Sequence, residues 1–134
     1  MTCLFCSIAS GSEPAHIVHS DEHTLTFLDI RPLFLGHCLV IPKKHIETLM
    51  DLPEAAIAPL FQQAKKIAVA VQEAMGAEGI FMANNNRVSQ SVAHLHVHIV
   101  PRKKKDGLKG FFWPRVKPTQ ADLAAAAAAI KAKL

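Results

Sequence analysis

The stretch HLHVHIV, residues 94–100, alternates histidine with Leu95, Val97 and Ile99. Period-two patterning marks a β-strand whose two faces meet different surroundings. It predicts a strand with its apolar side chains turned into a core, and with His94, His96 and His98 on a face able to hold a ligand. Such a strand needs neighbours, and the rest of the chain offers them. PAHIVHSDEHTLTFLDI reads as two short strands around a polar turn at 20–23, the second running through 24–29. HCLVIP, 37–42, is a third strand, ended by its proline, and GIFMAN, 79–84, is a buried fourth.

One long helix stands among these strands. Leu60, Ala64, Ile67, Val71 and Met75 recur at helical spacing, with Asp51 as expected N-cap, Pro53 and Glu54 in the first turn, Pro59 as an early bend and Gly76 as the stop. TQADLAAAAAAIKAKL predicts a closing helix begun by Thr119, with Asp122 in the reciprocal capping position. Neither an internal repeat nor a linker interrupts this order. The expectation is one α+β domain over 1–134, an antiparallel sheet with one long central helix and a C-terminal helix.

Half of the 134 residues are apolar, enough for a core without disulfide staples. No stretch approaches the roughly 18 apolar residues of a membrane span, and the start lacks a signal-peptide pattern, so a cytoplasmic protein with no membrane partner is expected. Three cysteines, two of them as Cys3-x-x-Cys6, do not make a disulfide framework and point to metal or redox chemistry. Cys38, on an apolar strand, reads as packing. The formal charge of +4 comes partly from local runs, PKK at 42–44 and RKKK at 102–105. Such runs suit an anionic partner or a plain solvated loop. Nucleic acid ranks last among partners, because no aromatics interleave the lysines.

Three histidines in alternation suggest a metal cage, but strand geometry argues against it. Residues two apart lie about 6.6 Å apart along a strand, so His94 and His98 are separated by roughly 13 Å. Nitrogens on one zinc sit about 2.0 to 2.1 Å from it, hence no more than about 4 Å from each other. One ion could take one histidine, or two neighbours, with ligands from elsewhere. His16, His19 and His23 read as surface residues.

The leading Cys-x-x-Cys, FLDI, GHCLVIPKKH and HLHVHIV, in this order over residues 3 to 102, resemble the histidine triad (HIT) superfamily. They are most similar to its bacterial branch, related to nucleoside phosphoramidases and dinucleoside polyphosphate hydrolases. The resemblance implies a HIT-like fold and attack on the α-phosphate of a purine nucleotide or dinucleotide, with His96 as nucleophile and a nucleotidyl-histidine intermediate that releases a nucleoside monophosphate. It implies that the second ring nitrogen of His96 donates to the backbone carbonyl of His94. His37 and His98 match positions that contact the phosphate, and Ser91, in the turn opened by Gln90, one that reaches a phosphate oxygen or the leaving group. Asn84 is the choice for the family's phosphate-contacting asparagine. Asp29 matches the carboxylate that accepts from the ribose hydroxyls, and Phe5, Ile8 and Ile30 resemble apolar residues around the base. Glu13 departs from the aliphatic residue common before the proline matched by Pro14.

The same branch implies a structural zinc held by Cys3, Cys6, His45 and His94, which would separate His94 from the other two histidines. It also implies a homodimer joined through central helices and sheet edges. The basic run and Arg115 would suit the extra phosphates of a dinucleotide, and Trp113 the leaving-group side or the core. A non-catalytic nucleotide sensor or scaffold is the alternative function, and the intact His96 argues against it.

Overall fold

In the computed structural model, residues 3–108 and 115–134 are described; Trp113 lies outside them. A short helix α1 (Leu4–Ala9) precedes strands β1 (Ile17–Ser20), β2 (Thr24–Leu28) and β3 (Cys38–Pro42). The long helix α2 (Glu54–Ala74), strands β4 (Gly79–Ala83) and β5 (Val97–Arg102), and helix α3 (Gln120–Lys131) follow. The five strands form one antiparallel sheet in the order β1-β2-β3-β5-β4. The expected α+β class and antiparallel sheet are present.

Strand alternation divides the core in two. Cys38, Val40, Val97 and Ile99 face α2, where they pack on Leu60, Ala64, Ile67 and Val71. Leu25, Phe27, Leu39 and Ile41 face the other way and are covered by Phe5 and Ile8 of α1. Thr26 is buried on the sheet, and its hydroxyl has no hydrogen-bond partner among the described residues. Burying an unpaired hydroxyl costs free energy that an isosteric methyl does not, so Thr26→Val is expected to raise unfolding stability by about 1 kcal/mol in urea titration.

Several local expectations are corrected. Asp51 does not cap α2: it ends a 3-10 turn (Leu49–Asp51) and accepts from the Thr48 hydroxyl at 2.6 Å, while Pro53 occupies the N-cap. Helix α2 runs on through Pro59 to Ala74. Gly36, at φ +100°, lies so near the end of α2 that a Cβ there would meet Met75 at 2.6 Å. Strand β4 is half-buried rather than buried, because it forms the sheet edge. The expected capping box of Thr119 and Asp122 is present, and every residue of α3 is exposed. Helix α1 escapes sequence reading, since its six residues carry too short a pattern to recognise.

Candidate functional site

Antiparallel register decides which polar residues meet. Leu28 pairs with Cys38 and Leu39 with His98, so the next pair beyond Leu28 sets Asp29 beside His37, joined by Asp29 N–H donating to the His37 carbonyl at 2.9 Å. Asp29, His37, His96 and His98 thereby share the sheet face that α1 covers. A cavity of about 540 Å³ opens there. His96, His98, Ser91 and Asp29 stand on its wall together with apolar Phe5, Ile8, Phe27 and Leu39. Ile30 sits at the rim, 80% exposed. The histidine face is less open than alternation implied, for His94 and His96 are 0% and 2% exposed under α1. Phe5 packs edge-on to His96 with ring centroids 5.1 Å apart.

Backbone partners fix the ring protons. Leu33 N–H donates to His37 Nδ1 at 3.1 Å, so that nitrogen is an acceptor and the proton resides on Nε2. His37 Nε2 lies 2.9 Å from His98 Nδ1 and 3.7 Å from Asp29 Oδ2, so it donates to His98. His98 therefore carries its own proton on Nε2. His96 Nδ1 lies 2.7 Å from the His94 carbonyl, to which only a protonated nitrogen donates, and its Nε2 is left with the lone pair. One cavity wall thus holds an imidazole lone pair at His96 and an imidazole N–H at His98. Burial, together with the neighbouring His96 and His37, pushes His98 down to about 4, and burial likewise lowers His37 against the pull of Asp29.

That depression has a consequence for stability. Between about 4 and the usual histidine value near 6.5, the unfolded chain binds a proton that folded His98 refuses. Stability is therefore complete above that window and falls as pH is lowered through it. Thermal unfolding followed from pH 7.5 to 4.5 is expected to show the fall, and His98→Gln should flatten it.

A second cluster lies behind α1. Cys3, at the N-cap, accepts from Cys6 N–H at 3.4 Å, which brings the two sulfurs to one side of the helix start. His94 Nδ1 lies 3.4 Å from Cys3 Sγ and 3.5 Å from Cys6 Sγ, and His45 Nδ1 lies 3.3 Å from Cys6 Sγ. All four donor atoms fall within 4.8 Å of one another. His94 Nε2 donates to the Pro42 carbonyl at 2.8 Å, so its Nδ1 lone pair faces the sulfurs. Two thiols and two imidazoles with one ring oriented from outside form a donor set that fits a tetrahedral soft metal ion. The ladder of β5 begins only at Val97; before it, Leu95 N–H is clipped to the Ile46 carbonyl at 2.7 Å. This bend sends His94 toward the cysteines and leaves His96 and His98 at the cavity. Asp29, His37 and His98 also lie within 4.8 Å of one another, but the His37 proton is engaged on His98, and the Asp29 carboxylate stands 3.7 Å from that nitrogen.

Not every expected residue reaches the cavity wall. His37 is 3% exposed and stands behind His98, touching it rather than the open space. Asn84 donates to the His96 carbonyl at 2.9 Å and accepts from Asn86, whose own Oδ1 takes Leu49 N–H. Gln90 donates to the Glu47 carbonyl and accepts from Arg87 N–H. Both side chains brace the loop before the triad, in which Arg87 and Ser89 hold positive φ. Of the basic run, Arg102 is forked onto Asp106 at 2.6 and 3.0 Å, and no residue of 102–105, nor Arg115, lines the cavity. Arg31 does line it, as does Glu13. Sequence reasoning had no signal for Arg31, nor for the Leu33 amide that sets the His37 tautomer, because a backbone group leaves no trace in side-chain pattern. His16, His19 and His23 are exposed, and Cys38 is buried with its thiol pushed up to about 11, as core residues behave.

Fold and site together define an α+β domain that presents fixed imidazoles beside a half-apolar cavity sized for a small ligand. The chain belongs to the histidine triad family: the HIT domain model matches residues 10–105. An uncharacterized HIT-like protein of Methanocaldococcus jannaschii is 45% identical over 78% of this chain and 82% of its own length. Adenosine 5'-monophosphoramidase of Schizosaccharomyces pombe is 36% identical over 85% of this chain and 84% of its own. Among solved structures, a HIT family protein of Bacillus subtilis superposes with a TM-score of 0.88 at 37% identity, covering 100% of this chain and 98% of that one. A zinc-bound histidine triad protein of Mycobacterium smegmatis gives 0.77 at 38% identity, covering 100% and 99%. No helix among the described residues is long and apolar enough to cross a membrane.

Proposed function

We propose that this protein is a nucleotide hydrolase that releases a nucleoside monophosphate by way of a nucleotidyl-histidine. The observation that carries the reading is the His96 ring on the cavity wall, held by the His94 carbonyl at 2.7 Å so that Nε2 keeps its lone pair. In the first step Nε2 attacks the α-phosphorus, an N–P bond forms, and the bond to the leaving group breaks with its electron pair. In the second, water attacks the same phosphorus and the N–P bond breaks. Dividing one displacement into two lowers each barrier. His98 Nε2–H donates to a phosphate oxygen as charge builds on it, and Ser91 donates to a second oxygen or to the departing atom. His37 acts through His98, whose tautomer it sets.

Asp29 keeps one carboxylate oxygen on Arg31 N–H at 2.8 Å and offers the other to the ribose hydroxyls. Phe5, Ile8 and Ile30 surround the base. Asn84 and Gln90 hold the triad strand and its loop rather than the phosphate. Cys3, Cys6, His45 and His94 hold a zinc, which with four protein ligands has no open position and is structural. The exposed apolar residues Ile57 and Phe61 on the outer face of α2, and Met82 on the β4 edge, support a homodimer. Because Arg31 is the only lysine or arginine among the described residues on the cavity wall, a small amine leaving group suits the site better than a second nucleotide with its string of phosphates.

The test is release of AMP from an amine-linked adenylate and from diadenosine tetraphosphate by wild type and by His96→Ala. Turnover of either substrate that vanishes in the variant supports the hydrolase. Intact nucleotide binding with no turnover by wild type would replace it with a nucleotide sensor.

A further inference from the structure

The cavity wall has a polar part and an apolar part. His96, His98, Ser91 and Asp29 make the first; Leu4, Phe5, Ile8, Ala15 and Phe27 contribute to the second. A nucleotide with its phosphate at His96 and its ribose at Asp29 has these apolar residues left to receive its base. Glu13 lies on the same wall, two residues before Ala15, which packs against the apolar cluster of Phe5, Ile8 and Phe27.

The Glu13 backbone is fixed. Its N–H donates to the Ser7 carbonyl at 3.1 Å, beside the Ser12 N–H at 3.0 Å and the hydroxyls of Ser10 and Ser12 on the same oxygen at 3.0 and 3.1 Å. Pro14 restricts it further, since a residue before proline is held extended. Among the described residues no hydrogen bond or ion pair engages its carboxylate, and Arg31, on the same wall, is not paired with it. A fixed backbone therefore carries an unengaged acceptor on the cavity wall, next to the apolar residues against which a base would pack.

We infer that Glu13 selects guanine over adenine at this site, an inference that rests on the nucleotide reading above. An ionised carboxylate only accepts hydrogen bonds. Guanine presents N1–H and the N2 amino group side by side, two donors matched to the two oxygens of one carboxylate. Adenine presents its N6 amino group beside the N1 lone pair, so one oxygen gains a bond and the other faces a like partial charge. Selection of this kind comes as much from the unfavourable contact with the wrong base as from the bond to the right one. Glu13 is exposed, so solvent competes and the discrimination is modest, about tenfold, rather than the about 10⁴-fold reached in buried sites.

The experiment measures GMP and AMP binding by calorimetry, and kcat/KM for amine-linked guanylate and adenylate, in wild type, Glu13→Gln and Glu13→Ile. Wild type is expected to favour guanine about tenfold in both readings, and Glu13→Ile to bring the ratio near one. Glu13→Gln, with one acceptor and one donor, should reduce the guanine preference and improve adenine. Equal use of both bases by wild type, or a guanine preference untouched by Glu13→Ile, overturns the inference. Guanine-selective binding without turnover of either substrate sinks the hydrolase reading while supporting base selection. Absence of binding by both nucleotides overturns the two together.

Discussion

His96→Ala is expected to lower kcat by at least about 10⁴-fold, because removing a nucleophile that works as one unit with its neighbours takes away most of the catalytic gain. That corresponds to roughly 5.5 kcal/mol of lost transition-state stabilisation. Nucleotide affinity should change little, since Asp29, His98 and the apolar residues of the cavity wall remain. His96 is nearly buried and braces Phe5, so the alanine variant carries some packing cost. His96→Asn supplies a second arm: its amide fills part of the space and still donates, but offers no ring lone pair. Both variants should fold, bind and fail to turn over. Rapid quenching of wild type during turnover should leave the peptide containing His96 heavier by one nucleotidyl group and labile to acid. Residual activity near wild type in either variant, or a label on a different residue, would remove His96 from the role.

The second large effect belongs to the cysteine–histidine cluster. Protein purified without chelator is expected to carry about one zinc per chain, and Cys6→Ser, His45→Ala and His94→Ala each to lose it. The three variants should differ in stability. His45 is exposed, so its loss removes a ligand and little packing. His94 is fully buried, touches Phe5 with ring centroids 6.0 Å apart, and is the donor to the Pro42 carbonyl at 2.8 Å. Truncating it removes a ligand, leaves a cavity and strips the Pro42 carbonyl of its donor, for about 3 to 5 kcal/mol and a Tm lower by more than about 10 °C. The His94 carbonyl that receives the His96 ring proton is a backbone group and survives the substitution, but the side chain that anchors it to Pro42 does not, so His94→Ala should slow turnover beyond what unfolding explains, whereas His45→Ala should slow it less. Zinc content unchanged across all three variants would exclude the cluster as the metal site.

These two sites show how differently local and distant information entered the chain. Alternation around His94, His96 and His98 identified the strand, and the helical spacing from Leu60 to Val71 identified the residues that α2 buries against it. The spacing Cys3-x-x-Cys6 alone marked those two residues for metal or redox chemistry. Asp51, Asn84 and Gln90 carry no such local signal. Each has a side chain with several possible partners, and its choice depends on which segment lies beside it. Asp51 takes the Thr48 hydroxyl instead of an α2 amide; Asn84 and Gln90 take carbonyls of His96 and Glu47 instead of facing the cavity. Of the basic run, Arg102 holds Asp106, and the run stands at the far end of β5 from His98.

By itself the sequence determined the antiparallel α+β architecture, the residues of the triad and the cysteine pair, because periodicity and spacing are local properties that neighbouring residues express directly. Only the tertiary structure decided that His94 turns to the cysteines while His96 and His98 turn to the cavity. It also decided that a backbone amide and two carbonyls fix all four ring tautomers, and that Glu13 stands on the cavity wall. Those outcomes depend on strand register and on which backbone groups segments far apart in sequence bring within hydrogen-bond reach of a ring nitrogen, and hydrogen bonds are lost over less than an ångström of displacement.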